Sequence, residues 1–386
     1  MRRLRRILGI TVAVLLLAVI ILLAVVKITL GSGEPYPDVS TAPLFPAALE
    51  VAAELPLPPG NIAVSADGRI FFNYHYLGGK DLNGNSVFEL IDGKPAPYPS
   101  AAFQPTFKTT LGMLIDAQNR LWVVDPAGLD GDRQSRLLAF DLTTNEVAYD
   151  YTFANDDADF AQDLQVSSDG RMIYLASTGV FGAIPANLVV LDTQTGTART
   201  LLRGHASVEP QDWRIRTGDG EHVSIAYGLI DWQIGVDGIA LTKDDAWLYY
   251  GAISHDTLYR ISTARLLDAR LSDEQLAQHI EAVGRKPLSD GFSADLEGNI
   301  YITDIEHGGI ARMTPDGRLE TLIKDPRVRW ADGISFAPER TIYFSDSAIP
   351  AYLTQTADPA SPEAIQQHGP YYLFKFTTDK AGVPGS

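Results

Sequence analysis

Short hydrophobic runs separated by polar turns recur along most of this chain. NIAVSADGRIFFNYH begins at Asn61, GMLIDAQNRLWVVDPAG at Gly112, DLQVSSDGRMIYLASTG at Asp163, GIALTKDDAWLYYGAIS at Gly238, GFSADLEGNIYITDIEHG at Gly291 and GISFAPERTIYFSDSAI at Gly333. Each has four or five residues of β character, a polar turn, and a second run rich in Ile, Val, Leu, Trp, Phe and Tyr, the pattern of a β-hairpin. Between the turn positions Asp67, Gln118, Asp169, Asp244, Glu297 and Glu339 the steps are 51, 51, 75, 53 and 42 residues. Repeats of that length with several strands each predict a propeller, and six copies predict six blades. Further strand candidates, SVFELI, RLLAFDL with EVAYDYTF, NLVVLDT with ARTLL, TLYRIS, GIARMT with RLETLI, and YYLFKFT, each follow one hairpin. ALEVAAELPL, before Asn61, has no hairpin of its own and is predicted to pair with the last blade, so that the ring leaves no open edge. The long step holds an insertion, GHASVEPQDWRIRTGDGEHVSIAYGLIDWQIG, and residues 272–283 read as a helix. There Ser272 and Gln275 form a capping box, Leu276, Ile280 and Val283 share a face, and Gly284 stops the helix.

The N-terminus departs from this pattern. Four arginines precede an uncharged apolar run from Ile7 to Val26, long enough to cross a bilayer as a helix. The arginines favour the cytoplasmic side, so the rest of the chain is expected on the periplasmic or extracellular side as a single-pass membrane protein. A cleaved signal peptide competes, but no small-x-small site stands out before Gly31. The expected organisation is therefore a membrane anchor over residues 1–30, a Gly/Pro-rich linker over 31–46 and a propeller over 47–386: an all-β, six-bladed fold behind an N-terminal transmembrane helix. The chain has no cysteine, so stability must come from packing, and neither a lipoprotein anchor nor a disulfide framework is available. The net charge is −17, and because the anchor and its flank hold five basic residues and no acid, the remainder is more acidic still. Such a field repels nucleic acid and suits cationic or neutral small molecules.

The segments GVDGIALTKDDAWLYYGAISHDTLYRIST, LSDGFSADLEGNIYITDIEHGGIARM and RWADGISFAPERTIYFSDSA resemble signature segments of the major royal jelly protein and Yellow family, whose bacterial members are often labelled dopachrome tautomerase-related. The resemblance covers residues 50–378. It implies a six-bladed propeller, secretion and a ligand at the centre of one face; insect members include binders of biogenic amines and some linked to dopachrome conversion. The chain departs from the insect pattern in lacking disulfide cysteines and in its anchor. A more distant similarity runs to gluconolactonase and senescence-marker propellers, which hold a divalent metal over the central channel with Glu, Asn and Asp ligands.

In a propeller the loop into each hairpin and the loop out of it share one mouth. The entering positions are Asn61, Asp163, Asp237, Asp290 and Asp332, with the second blade entering through Leu111 and Gly112, so four carboxylates and an amide are expected on the axis. Like charges at that range need a positive charge among them or take up protons. A divalent cation such as calcium or magnesium meets the first need, with Asn61, Asp237 and Asp290 as metal ligands; the ammonium of an amine ligand meets it too. The competing reading is that Asp-Gly pairs merely form turns and cap their own backbone. His75, Asp125, Thr178, His255, Glu306, His307 and Ser347 leave the hairpins on an outer ring, and Trp232, Trp330, Phe181 and Tyr352 lie in loops able to supply π faces. Asp163, Asp332, His307, Glu306, Trp330 and Phe181 are the candidate ligand-binding residues, and Asp237 and Asp290 the candidate catalytic ones. GFSAD at Gly291 lacks the final glycine of a nucleophile elbow, and there is no HExxH, phosphate loop or GxGxxG before a helix. Three functions fit: a membrane-anchored propeller binding a small aromatic or cationic ligand at its acidic mouth, a divalent-metal-dependent enzyme there, a lactone hydrolase or a dopachrome-type isomerase, or an envelope scaffold that uses the propeller only as a docking surface.

Overall fold

In the computed structural model, which describes residues 2–45, 48–75, 87–126, 134–154, 158, 160–179, 184–353 and 362–386, the six hairpins are the inner halves of six four-stranded antiparallel sheets. Blade 1 comprises Pro59–Val64, Ile70–Tyr74, Val87–Ile91 and Lys94–Pro97; blade 2 Met113–Ile115, Arg120–Asp125, Arg136–Asp141 and Glu146–Thr152; blade 3 Ala161–Val166, Met172–Ser177, Asn187–Asp192 and Thr197–Leu201. Blade 4 comprises Val236–Leu241, Trp247–Ala252, Thr257–Ser262 and Glu281–Arg285, and blade 5 Phe292–Ala294, Ile300–Asp304, Gly309–Met313 and Leu319–Lys324. Blade 6 takes Ala331–Ala337, Thr341–Asp346 and Tyr371–Thr377 from the end of the chain and Glu50–Leu55 from its beginning, the predicted closure.

Burial falls from the axis outwards. Every residue of Val236–Leu241 and Ala331–Ala337 is buried, whereas Glu146–Thr152 is mostly exposed. Inner strands wedged between neighbouring blades have no solvent face, so they read as continuous apolar runs, and only outer strands keep an alternation. The closing strand is fixed by Ala53 and Leu55, both buried, packing under blade 6.

The helix expected over 272–283 forms only at Asp273–Ala277. Its capping box is present as read, but Glu281–Arg285 is the fourth strand of blade 4, because the outward edge of Thr257–Ser262 offers ladder bonds that outweigh the weak preference of four or five residues for another helical turn. Replacing Ser272 with alanine removes the cap of this short helix and the hydroxyl's hydrogen bond to Glu274; chemical denaturation should show a loss of about 1 kcal/mol or less.

The segment read as a linker is tied to the propeller. Glu34 and Pro35 pair in parallel with Trp213 and Arg214, Tyr36 is buried with its hydroxyl donating to the Lys286 carbonyl at 2.6 Å, and Leu44 and Phe45 donate to the carbonyls of Thr321 and Leu322. Among the described residues one helix is long and apolar enough to cross a membrane, Arg6–Leu30, with a mean hydropathy of 3.2 and no buried residue in its most apolar stretch. At the opposite face, residues 379–386 cross the axis: Ile115 donates to the Gly385 carbonyl at 2.9 Å, and Ser293 Oγ and the Phe336 amide donate to the Ser386 carbonyl, both at 2.8 Å.

Candidate functional site

Four of the six inner strands, those of blades 1, 3, 4 and 6, start with an irregularity. The register of blade 4 shifts between Val236 and Ile239, that of blade 6 between Ala331 and Ile334, and that of blade 1 between Pro59 and Ile62. The Asp237-Gly238 and Asp332-Gly333 pairs are therefore β-bulges, which turn the aspartate towards the axis. The glycines answer a close approach rather than a turn: a Cβ at Gly238 would collide with the Asp290 carbonyl and Phe292, one at Gly291 with the Asp332 carbonyl, and one at Gly333 with Asn61. The turn reading of these Asp-Gly pairs gives way to a packing reason for the glycine and an axial position for the acid.

The entering positions converge as expected. Asn61, Leu111, Gly112, Asp163, Asp237, Asp290 and Asp332 together line a cavity of about 220 Å³ at the mouth. Its walls are apolar, from Phe160, Ile225, Trp232, Ile234, Ile253 and Ile349, and the described lining residues include no lysine or arginine. All four aspartates are buried. Burial, together with the charge of Asp290, pushes Asp163 up to about 8. Asp237 and Asp332 are raised for the same two reasons. Asp290 rises least, to about 6, because hydrogen bonds from Trp330 and Asp237 oppose its burial. The Trp330 indole donates to Asp290 Oδ2 at 2.7 Å. Asp346 orients that indole, its Oδ1 accepting the amides of Arg329 and Trp330, each at 2.8 Å. Among the four, Asp290 is displaced least from the ordinary carboxylate range, Asp237 beside it is raised well above that range, and Asp332 Oδ2 is buried without a hydrogen-bond partner.

Other sequence candidates fall elsewhere. Trp330 does not reach the cavity; it is fully buried behind Trp232, ring centroids 5.5 Å apart, and acts through Asp290. Glu306 turns away, one oxygen accepting the Arg216 amide at 2.7 Å and the other unpartnered, and burial pushes it up to about 7. His307 also lies off the cavity, held 3.0 Å from Asp304 and facing Asp38 at 3.5 Å, and the Asp304 hydrogen bond raises its pKa. His75 lines the cavity but is kept neutral by burial, its pKa lowered to about 3. His255 and Tyr352 are buried away from the lining, Trp232 is on it, and Phe181 lies outside the described residues. The insertion supplies Ile225, Gln233 and Ile234, which carry no periodic signal.

For a metal, the donor chemistry fits a hard cation: carboxylate and amide oxygens, one of them unpartnered. The Asn61 Oδ1 atom already accepts the Ile62 amide at 2.9 Å. Among the described residues no three His, Asp or Glu side chains are gathered closely enough to form a metal centre.

Solved structures share the architecture. A luciferin-regenerating enzyme superposes with a TM-score of 0.54 at 11% identity, covering 87% of this chain and 97% of that one. Regucalcin of Agrobacterium tumefaciens, described as calcium-binding, gives 0.54 at 13% over 89% and 97%, and a gluconolactonase of Xanthomonas campestris 0.53 at 14% over 90% and 98%. At these identities the likeness shows the six-bladed propeller alone. In sequence, the 6-deoxy-6-sulfogluconolactonase of Pseudomonas putida is 29% identical over 113 residues, 29% of this chain and 38% of that protein, so the chain spans about two fifths of that relative. The sequence model described as major royal jelly protein matches residues 109–322, more than half of the chain, which takes in blades 2 to 4 and most of blade 5. With the axial aspartates of blades 3, 4 and 5 inside that span, the chain belongs to the major royal jelly protein family.

Proposed function

We propose that the mouth binds a small organic cation with an apolar or aromatic body, on a propeller anchored by its N-terminal helix to a membrane and standing on its periplasmic or extracellular face. The observation that carries this reading is the pairing of one chemistry at the floor with another on the walls. Four buried carboxylates with no lysine or arginine among the described lining residues, and with His75 kept neutral by burial, have no positive charge beside them, and a bound cation would supply one. The apolar walls and the Trp232 ring suit the body attached to that charge. Calorimetric titration with aromatic amines such as dopamine and serotonin tests it; saturable heat is expected, and silence with every amine in the panel would overturn it. Trp232→Ala should weaken binding about tenfold, read by the same titration, through loss of the π face.

A second reading is favoured by the unpartnered Asp332 oxygen and the lactonase named among the relatives. Here Asn61, Asp237 and Asp290 would hold a calcium or magnesium ion, which when bound would polarise a lactone carbonyl. Asp237 or Asp290 would then take the proton of the attacking water. A dopachrome-type proton shift would need the same carboxylates without the water. Elemental analysis with lactone hydrolysis assayed before and after EDTA separates the two: turnover lost to EDTA and restored by calcium or magnesium would place the enzyme reading first.

A further inference from the structure

The insertion between blades 3 and 4 does two things at once. Its hairpin, Ser224–Ile225 paired with Ile230–Asp231, contributes Ile225 to the cavity wall, and the chain leaving it contributes Trp232, Gln233 and Ile234. The same hairpin grips the end of the apolar helix. Lys27 Nζ donates to the Gly228 carbonyl at 2.8 Å, the Gly33 amide donates to Asp231 Oδ2 at 3.0 Å, and Arg214 Nη2 donates to the Gly31 carbonyl at 3.3 Å. The contact is close at the backbone, since a Cβ on Gly31 would collide with the Leu229 carbonyl and the Lys27 side chain.

The geometry of the helix locates this junction. The uncharged run Ile7–Val26 rises about 30 Å as a helix, the thickness of a hydrocarbon core, so Lys27 is the first residue beyond that core. A hairpin whose tip bonds Lys27 therefore sits at the same level. The tip itself carries the second observation. Ala226, Tyr227 and Gly228 follow one another in the left-handed region, at φ 52°, 60° and 79°, a conformation that costs the two non-glycine residues and pushes the tyrosine outwards. Tyr227 is 90% exposed, whereas among the described residues no other large apolar side chain outside the helix exceeds 51%. Tyrosine and lysine at one level are what a protein presents to the headgroup region of a bilayer.

We propose that the hairpin Ser224–Asp231 is a membrane-contact element, with Tyr227 in the headgroup layer, and that the propeller stands with its cavity mouth facing the bilayer surface. The partner is the lipid surface that holds the helix. This rests on the reading of the helix as an anchor, and through the proposed function it narrows the ligand class to amphipathic cations that partition into the interface. The absence of cysteine makes the test direct. Full-length protein carrying Tyr227→Cys, or Lys243→Cys in an exposed turn on the opposite face, is labelled with an environment-sensitive fluorophore and reconstituted into phosphatidylcholine vesicles containing lipids with headgroup-level quenchers. Flotation of the vesicles reads the anchor separately. The expected result is flotation of both proteins, with emission shifted to the blue and largely quenched at position 227 and unchanged at 243. Flotation with no quenching at 227, or with equal quenching at both positions, overturns the orientation and leaves the anchor standing. Failure to float overturns both.

Discussion

Asp290→Asn will reduce binding of an organic cation about 100- to 1,000-fold while leaving the propeller folded. The substitution keeps the shape of the side chain and an oxygen for the Trp330 indole, so the loop that carries Trp330 retains its bond. What it removes is the axial carboxylate that rises least, its burial opposed by hydrogen bonds from Trp330 and Asp237, and truncating a charged partner in a desolvated site costs several kcal/mol of affinity. Calorimetry reads the loss, and circular dichroism reads the fold. A companion change sharpens the interpretation: Asp237→Asn should raise the melting temperature of the unliganded protein at mildly alkaline pH while also weakening binding. Asp237 is raised by burial and by the Asp290 charge, so forcing it to ionise strains the folded state, and an amide is spared that strain. A stabilised protein that binds poorly is the signature of a site arranged for a ligand at the expense of the empty fold.

Affinity for the cation should rise about 100-fold between about pH 6 and about pH 8, with protons released on binding. Asp290 at about 6 and Asp163 at about 8 mark the ends of that window, and Asp237 and Asp332 are raised as well. The sign follows from the direction of the shifts. A carboxyl raised above its unfolded value contributes stability that is fully present below the ordinary carboxylate range and is lost as pH rises through its folded value. The unliganded propeller should therefore melt at progressively lower temperature across the window, and the cation should restore the loss, because it stabilises the ionised form that pH has created. Titrations in buffers of different ionisation enthalpy count the protons; a pH-independent affinity with no proton release would show that the aspartates do not face the ligand.

Much of this could be read from the residues because two independent constraints coincide in a propeller. The hairpins announce themselves by apolar runs around short polar turns, and topology then fixes which of their ends share a face, so the residues alone put Asp163, Asp237, Asp290 and Asp332 on the axis. The glycines after three of them were legible as residues but not as reasons. An Asp-Gly pair looks the same whether it bends a turn or lets a neighbouring blade approach, and only the register shifts and the collisions at Gly238, Gly291 and Gly333 decide it. Trp330, Glu306 and His307 were placed near the mouth by chain position, but a loop residue's direction depends on its partners: Asp290, Arg216 and Asp304 respectively. The strand Glu281–Arg285 was hidden because the demand for it comes from the edge of Thr257–Ser262, not from its own sequence.

The tail over residues 379–386 has a kinetic meaning. With Gly385 and Ser386 bonded to blades 2, 5 and 6 across the far end of the axis, a guest of the cavity should come and go by the mouth. An elongated guest entering there should lead with its charged end to reach the aspartates. A competitor lodged against Trp232 would then trap an occupant below it as well as exclude newcomers, slowing departure and arrival together.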